Sequence, residues 1–107
     1  MLQLIYYVPD THLEVTKNAL FDIGCGQLGN YSRCAWQTKG VGQFMPNQGA
    51  DPFIGTADAL EYVNEFKVEL LVPQALIAQA IAVLKQHHPY ECPAYAIIEL
   101  VDFKSLF

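Results

Sequence analysis

Basic residues are scarce in this chain of 107 residues, which has six Lys and Arg against eleven Asp and Glu and a formal net charge of −5. The six cations are spread from Lys17 to Lys104 and form no cluster. Because nucleic acids and anionic membranes are bound through clustered Lys and Arg, neither is expected as a partner. Long apolar runs are missing too, since no segment approaches the roughly 18 consecutive apolar residues of a membrane span.

Paired cysteines are also missing. Cys25, Cys34 and Cys92 are odd in number and have no C-x-x-C spacing, so free thiols in a reducing cytoplasm are favoured over a disulfide framework or a structural zinc site. The first residues, Met1 to Ile5, contain no Lys or Arg; no signal peptide is predicted, and a cytoplasmic location is expected. The hydrophobic content is 52%, enough for one domain over residues 1–107 with a single core.

Four stretches have the pattern of β-strands. Leu2–Val8 is almost continuously apolar, which is typical of a central strand buried on both faces. Ser32–Lys39 and Glu61–Val72 alternate between apolar and polar residues, and Ala94–Val101 closes the chain as a strand. The side of the third strand that is expected to pack under helices carries Phe66, Val68, Leu70 and Val72.

Two helices are predicted between these strands. The first runs from Thr11 to about Ile23, with a capping box formed by Thr11 and Glu14 at its start and Gly24 as its stop. The second runs over Gln74–His87 and carries apolar residues at helical spacing. The residues of the first helix expected to be buried are Val15, Ala19, Leu20 and Ile23.

The order βαββαβ predicts a ferredoxin-like α+β sandwich, an antiparallel four-stranded sheet with both helices on one face. The other face would carry Ile5, Tyr7, Leu71 and part of the last strand. Such a face is too apolar to meet water as a continuous patch. We therefore expect the chain to form an oligomer through its sheet.

Glycine and proline are concentrated in two stretches. Gly24, Gly26 and Gly29 spell G-x-G-x-x-G, but they follow a helix and precede a strand, the reverse of a dinucleotide-binding turn, so a helix stop and a turn are predicted. The least regular stretch, residues 40–60, is expected to be a long loop. Its apolar residues predict that it folds back onto the body or onto a neighbouring subunit. Three aromatic residues are available to line a pocket or to pack in the core: Trp36, Phe44 and Phe53.

The densest set of functional groups follows the second helix, in His87-His88-Pro89-Tyr90-Glu91-Cys92-Pro93-Ala94-Tyr95. Its two prolines predict a stiff, extended connector. His88, Glu91 and Cys92 carry the groups that bind zinc or copper, which makes them candidate ligands of a divalent metal. Adjacent side chains of an extended segment point to opposite sides, so at most two would converge unaided. The favoured alternative is that His88 and Glu91 hydrogen-bond the turn, through Asn30 or the backbone.

The run from His88 to Tyr95 resembles the H-P-Y-E-E-P-A-Y motif of the NIF-three family (NGG-one-interacting-factor-three, or YqfO, proteins). Gly29-Asn30-Tyr31 with Cys34 also resembles this family. So do two further stretches, Gly40-x-Gly42-x-Phe44-x-Pro46 and Pro52-x-Ile54-Gly55. The resemblance spans nearly the whole chain and implies a free-standing version of the PII/CutA-like domain that is inserted in long family members.

The resemblance further implies a homotrimer, with the loop between the second and third strands placed where PII proteins carry their ligand loop. Two positions depart from the family pattern: Cys92 replaces a second Glu, and Ala96 stands where Asp is common. A carboxylate-based role at these positions is therefore not implied. The two-metal centre of long members lies in flanking domains outside this sequence, and hydrolase activity ascribed to that centre does not carry over.

The expected function is that of a cytoplasmic, oligomeric PII/CutA-like regulatory protein that binds a small molecule, a metal ion or a partner protein. Two alternatives stay open, a metal-assisted hydrolase at a subunit interface and a purely structural assembly module. No catalytic residue is predicted, because a nucleophilic Cys34 or Cys92 would need a base and an oxyanion pocket. The candidate ligand-binding residues are Asn30, Tyr31, Cys34, Phe44, His88, Tyr90 and Glu91.

Overall fold

Strands and helices follow in the order βαββαβ in the computed structural model, which describes residues 1–101. The strands are β1 Leu2–Pro9, β2 Trp36–Phe44, β3 Glu61–Val72 and β4 Tyr95–Glu99. The helices are α1 Leu13–Asp22 and α2 Ile77–His87, each preceded by a short 3-10 turn. The predicted element order is confirmed.

The four strands form one antiparallel sheet in the order β2-β3-β1-β4. β1 lies in its centre, with Leu2 opposite Val72 of β3 and opposite Glu99 of β4. The β2–β3 hairpin is longer than β1, since its pairing continues to Phe44 and Glu61 whereas β1 ends with Pro9 opposite Glu65. The end of this hairpin therefore projects past the body of the sheet.

One face of the sheet packs under both helices and forms the core. Because side chains alternate along a strand, Leu4, Tyr6 and Val8 of β1 share this face with Val68 of β3. Tyr6 is fully buried, and its hydroxyl lies 2.9 Å from that of Thr16 on α1, which satisfies both polar groups. The other buried members of the core are Leu13, Leu20, Cys25, Leu70, Val72, Ala80 and Leu84. The ferredoxin-like α+β sandwich is thus confirmed.

The start of α1 differs from the prediction. Its N-cap is His12, without a side-chain cap, and the Thr11 hydroxyl contacts His12 Nδ1 at 2.8 Å instead of closing a capping box with Glu14. The intervening 3-10 turn shifts the helix start by two residues beyond Thr11. Thr16 therefore faces the core, whereas Val15, predicted to be buried, is exposed.

β2 begins and ends later than predicted. Arg33 has φ +57°, a left-handed conformation that interrupts extended backbone, so the strand starts at Trp36 rather than at Ser32. At the other end it continues through Gly40 and Gly42, which pair with Glu65 and Val63 of β3. The predicted loop over residues 40–60 is thus confined to residues 45–60.

The loop over residues 45–60 folds back onto the body, as the sequence predicts. The Phe53 ring meets the His12 ring edge-on at 5.6 Å between centroids. Asp58 N–H donates to the Pro46 carbonyl at 2.7 Å and holds the two ends of the loop together. Gly55 has φ +97°, a turn conformation that other residues rarely adopt.

Exposed apolar side chains gather at the two edges of the sheet. The face away from the helices, called the open face here, is less apolar than predicted because Ile5 is covered and Glu65, Lys67 and Glu69 form a charged row. The exposed apolar residues of the edge strands are Trp36 and Val41 on β2 and Tyr95, Ile97 and Ile98 on β4. None of the helices within residues 1–101 is long and apolar enough to span a membrane.

Candidate ligand-binding site

His88 joins the segment after α2 to the end of β1. Its ring is buried, and Nε2 lies 2.7 Å from the Tyr7 carbonyl oxygen. Tyr7 N–H in turn donates to the Ala94 carbonyl at 3.2 Å, just before β4 begins. Both ends of the segment 88–94 are therefore held against Tyr7.

The hydrogen bonds of His88 define its protonation state. Tyr90 N–H donates to Nδ1 at 3.1 Å, so Nδ1 carries no proton and Nε2–H donates to the Tyr7 carbonyl. Burial lowers the pKa of the imidazole, and it outweighs the hydrogen bond to Tyr7 and the charge of Glu65, which act in the opposite direction. His88 is thus a neutral side chain that fixes the course of the backbone at this point.

Tyr90 is oriented by three neighbours. Its hydroxyl donates to Glu65 Oε2 at 2.7 Å, and its ring lies 5.0 Å from His88 and 5.8 Å from Phe44 between centroids. Burial first, and then the hydrogen bond and charge of Glu65, raise the pKa of the Tyr90 phenol above its usual value. The phenol therefore remains a neutral donor, and the tyrosine adds no negative charge beside the carboxylate.

Gly42 leaves room for the Glu65 side chain. A Cβ at position 42 would collide with the Glu65 carboxylate, whereas a Cβ at Gly40 on the same strand would meet nothing within 4 Å. Gly40 and Gly42 both lie on the open face, Gly40 directly opposite Glu65 across the β2–β3 ladder and Gly42 two positions further along β2, opposite Val63. The carboxylate thus occupies the space that the missing side chain of Gly42 provides.

Glu91 ties the loop to the segment after α2. Its Oε2 accepts a hydrogen bond from Asp51 N–H at 3.2 Å, while the side chain remains exposed. This bond and the contact between the Phe53 and His12 rings place the loop beside Tyr90.

These contacts border a half-open cavity of about 270 Å³ on the open face, which we call the Tyr90 cavity. Its walls come from β1, the β2–β3 hairpin, the loop and the segment after α2. The lining residues are Tyr7, Gln43, Phe44, Pro46, Ala50, Pro52, Phe53, Ile54, Glu65, Tyr90, Glu91, Cys92 and Ala94. An apolar cavity with a few oriented polar groups is the usual form of a small-molecule site.

The predicted ligand-binding residues fall into two groups. Phe44, Tyr90 and Glu91 line the Tyr90 cavity, and His88 supports it from behind. Asn30, Tyr31 and Cys34 lie near the opposite end of β3 and do not line this cavity.

Two hydrogen bonds locate the second group. Cys34 N–H donates to the Gly26 carbonyl at 2.9 Å, and Gly26 N–H donates to the Leu71 carbonyl at 2.8 Å. Leu71 is six residues along β3 from Glu65, about 20 Å at the usual rise of a strand. Asn30 lies in the exposed turn where Leu28 pairs with Tyr31, and it is therefore not the hydrogen-bond partner of His88. His88 bonds to the backbone instead.

The three candidate metal ligands, His88, Glu91 and Cys92, do not converge on one point within a single chain. Both ring nitrogens of His88 are engaged by the backbone, and Glu91 accepts from Asp51 N–H. Cys92 is exposed. Within residues 1–101, no three His, Cys, Asp or Glu side chains lie close enough to hold a metal ion.

The sequence interpretation missed three residues of the site. The sequence predicts Tyr7 on the open face without a ligand role, places Glu65 within the third strand with no role of its own, and places Gly42 in the long loop. Gly42 could have indicated the position of Glu65, because a glycine inside a strand often marks a close approach of another group. Trp36, which the sequence offers as a pocket or core residue, is exposed; it belongs neither to the core nor to the lining of the cavity.

The similarity to known proteins extends over nearly the whole chain and is not restricted to the residues of the Tyr90 cavity. The chain is 40% identical over 102 residues to a protein of Halalkalibacterium halodurans named GTP cyclohydrolase 1 type 2 homolog, a match covering 95% of this chain and 27% of that protein. It also superposes on the crystal structure of a Bacillus cereus protein related to NIF3 with a TM-score of 0.81 at 35% identity. The chain is related to the NIF-three proteins. No protein-family model matches it.

The chain corresponds to only one part of these relatives. The superposition covers 94% of this chain and 26% of the Bacillus cereus chain, and the chain spans about a quarter of the length of the curated relatives it matches. The periplasmic divalent cation tolerance protein CutA of Archaeoglobus fulgidus matches over 99% of this chain and 91% of its own, with a TM-score of 0.68 at 17% identity. That likeness establishes a CutA-like fold.

Proposed function

We propose that this chain is an oligomeric, PII/CutA-like binding protein of the cytoplasm whose Tyr90 cavity takes a small regulatory molecule. The observation that carries the proposal is the cavity itself. Residues of β1, the β2–β3 hairpin, the loop and the segment after α2 line one largely apolar, half-open cavity. Tyr90 and Glu65 supply an oriented pair of polar groups within it.

The construction of the cavity supports a binding role over a purely structural one. His88 is held by two backbone hydrogen bonds, and through Tyr90 it fixes one wall. The facing wall is a loop that is joined to the segment after α2 by the hydrogen bond from Asp51 N–H to Glu91 and to the body by the edge-on contact of Phe53 with His12. A rigid wall opposite a more weakly anchored one allows a ligand to enter and then be covered.

Oligomerisation, with a trimer as the expected state, is supported by the exposed apolar residues at the sheet edges. Ile98 on β4 is 43% exposed and Trp36 on β2 is 68% exposed. Apolar edge strands are surfaces that proteins cover by association or by other means. An assembly through these strands would place neighbouring subunits beside β2 and β4, the two edges of the sheet.

Metal-assisted hydrolysis is the second candidate function; the name GTP cyclohydrolase of the curated relatives supports hydrolysis, and His88, Glu91 and Cys92 are the candidate metal ligands. Those proteins are about four times as long as the matched segment, so their activity belongs to this chain only as a hypothesis. A metal held between subunits would have to take ligands from more than one chain. Stoichiometric metal in the purified oligomer would favour this function over ligand binding alone.

A thermal-shift panel of small molecules tests the proposal. Compounds that raise the melting temperature of the parent are expected to lose their effect in Tyr90→Ala, because the ring forms one wall of the cavity. Tyr62→Ala is the matched control, since Tyr62 is exposed on β3 and does not line the cavity. A panel whose hits act equally on the parent and on Tyr90→Ala would contradict the proposal.

A further inference from the structure

The lining of the Tyr90 cavity has a definite charge. Glu65 and Glu91 contribute carboxylates, and among the described residues that line it none is Lys, Arg or His. Lys67 lies near by on the open face, but its ammonium is directed towards Glu69, at 3.8 Å, and it is not a lining residue. The cavity is therefore negative.

Aromatic rings strengthen this preference. Tyr7, Phe44, Phe53 and Tyr90 all line the cavity, and the face of an aromatic ring attracts a cation through its quadrupole. Tyr90 remains a neutral phenol, and its hydroxyl donates to Glu65. Carboxylate oxygens have more acceptor sites than one hydrogen bond occupies, so Glu65 retains the capacity to accept a second donor from a ligand.

We infer that the Tyr90 cavity selects a small organic cation, an ammonium or guanidinium group on an apolar body. This inference rests on the proposed function and adds the chemical class of the ligand. The apolar body contacts Phe44 and Phe53, and the cationic group lies beside Glu65. Anionic ligands, including nucleotide phosphates, are disfavoured, because the described lining has two carboxylates that would repel an anion and no basic side chain to offset them.

An organic cation fits this lining better than a metal ion. A divalent metal requires several ligands that converge at short distances, and no three metal-binding side chains within residues 1–101 do so. The volume of about 270 Å³ and the apolar walls also exceed what a bare ion would need. Charge and shape thus point to the same class of ligand.

Calorimetric titration of the full chain with three matched probes tests the inference. The probes are 2-phenylethylammonium, 2-phenylethanol and phenylacetate, which share a phenyl ring on a short chain and differ in charge. We expect the ammonium to bind about tenfold more tightly than the alcohol, and phenylacetate more weakly than either. Glu65→Gln should lower the affinity of the ammonium towards that of the alcohol, because the amide oxygen still accepts from Tyr90 while one of the two carboxylate charges is gone.

Glu69→Gln is the matched control, since Glu69 lies on the same strand and face but outside the cavity. It should leave the selectivity unchanged. If Glu65→Gln fails to fold, Glu91→Gln tests the second carboxylate in the same manner. Equal binding of ammonium and alcohol, selectivity that survives both cavity variants, or no binding of any probe would overturn the inference.

Two results separate this inference from the proposed function. If the alcohol or phenylacetate binds as well as the ammonium, and Tyr90→Ala abolishes that binding, the cavity is a ligand site without cation selectivity. If no probe and no compound of the wider panel responds to Tyr90→Ala, both the inference and the proposed function fail.

Discussion

His88 Nε2 lies 2.7 Å from the carbonyl oxygen of Tyr7, a residue 81 positions earlier in the chain. The same imidazole accepts the Tyr90 N–H through Nδ1. One neutral side chain thus connects the central strand to the segment that carries Tyr90 and Glu91. The most conspicuous residue of the sequence motif acts by holding backbone in place.

Removal of the His88 ring should destabilise the fold. We expect His88→Ala to lower the free energy of unfolding by about 1–3 kcal/mol, because the buried Tyr7 carbonyl and Tyr90 N–H lose their partner. Urea denaturation measures this. His87→Ala, at the neighbouring position, is the control and should cost less; equal losses would contradict the assigned role.

The stability of the fold should depend on pH through His88. Burial lowers its pKa in the folded state, so below about pH 6.5 the unfolded chain binds a proton that the folded chain does not. Stability is then complete above that pH and falls as the pH drops, by at most about 1.4 kcal/mol per pH unit from one histidine. Denaturation of the parent and of His88→Gln is measured between pH 5 and 8, a range of roughly one unit or more either side of the histidine pKa. The free energy of unfolding should depend less steeply on pH in the variant. Parallel slopes would contradict this prediction.

Gly42→Ala should disturb the site while Gly40→Ala should not. The added Cβ at position 42 would force the Glu65 carboxylate away from Tyr90, at a cost of about 1–3 kcal/mol for the broken charged hydrogen bond. Position 40 has free space on the same strand and face. Comparison of melting temperatures, and of the ultraviolet absorbance of the tyrosines, checks this. Identical behaviour of the two variants would show that Gly42 is not required by Glu65.

The family resemblance and the fold could be predicted from the sequence because both rest on local patterns. The apolar run of β1 correctly predicts a central strand, and the alternation of β3 correctly predicts the face that packs under the helices. The limits of β2 could not be predicted, since Gly40 and Gly42 have low strand propensity and are held by pairing with β3. The hydrogen bond between Tyr90 and Glu65 could not be predicted from the sequence either, because the two residues are 25 positions apart and come together only in the folded sheet.

The loop over residues 45–60 should exchange its amide hydrogens faster than β1. It has one side-chain bond to the segment after α2, whereas the central strand is paired on both sides. Hydrogen exchange followed by mass spectrometry, with and without a ligand of the cavity, measures this. Protection of the loop equal to that of Leu2–Pro9 without ligand would show that it is ordinary fixed structure.

A charge at the sheet edge should dissociate the oligomer. We expect the parent to sediment as a trimer of the 12.0 kDa chain and Ile98→Asp to be monomeric, because a buried unpaired charge costs several kcal/mol. Val15→Asp is the matched control, since Val15 is 44% exposed on α1 and Ile98 is 43% exposed on β4. A monomeric parent at micromolar concentration would contradict the trimer. Dissociation by both variants would contradict the assigned surface.

Chemical-shift mapping with a small-molecule fragment library tests the central claim most directly, namely that the Tyr90 cavity is a ligand site. Fragments that bind should shift the amide signals of Tyr7, Phe44 and Tyr90, and these shifts should disappear in Tyr90→Ala while persisting in Tyr62→Ala. The account would be contradicted if bound fragments shifted signals near Asn30 and Cys34 instead, or if no fragment shifted the signals of the cavity.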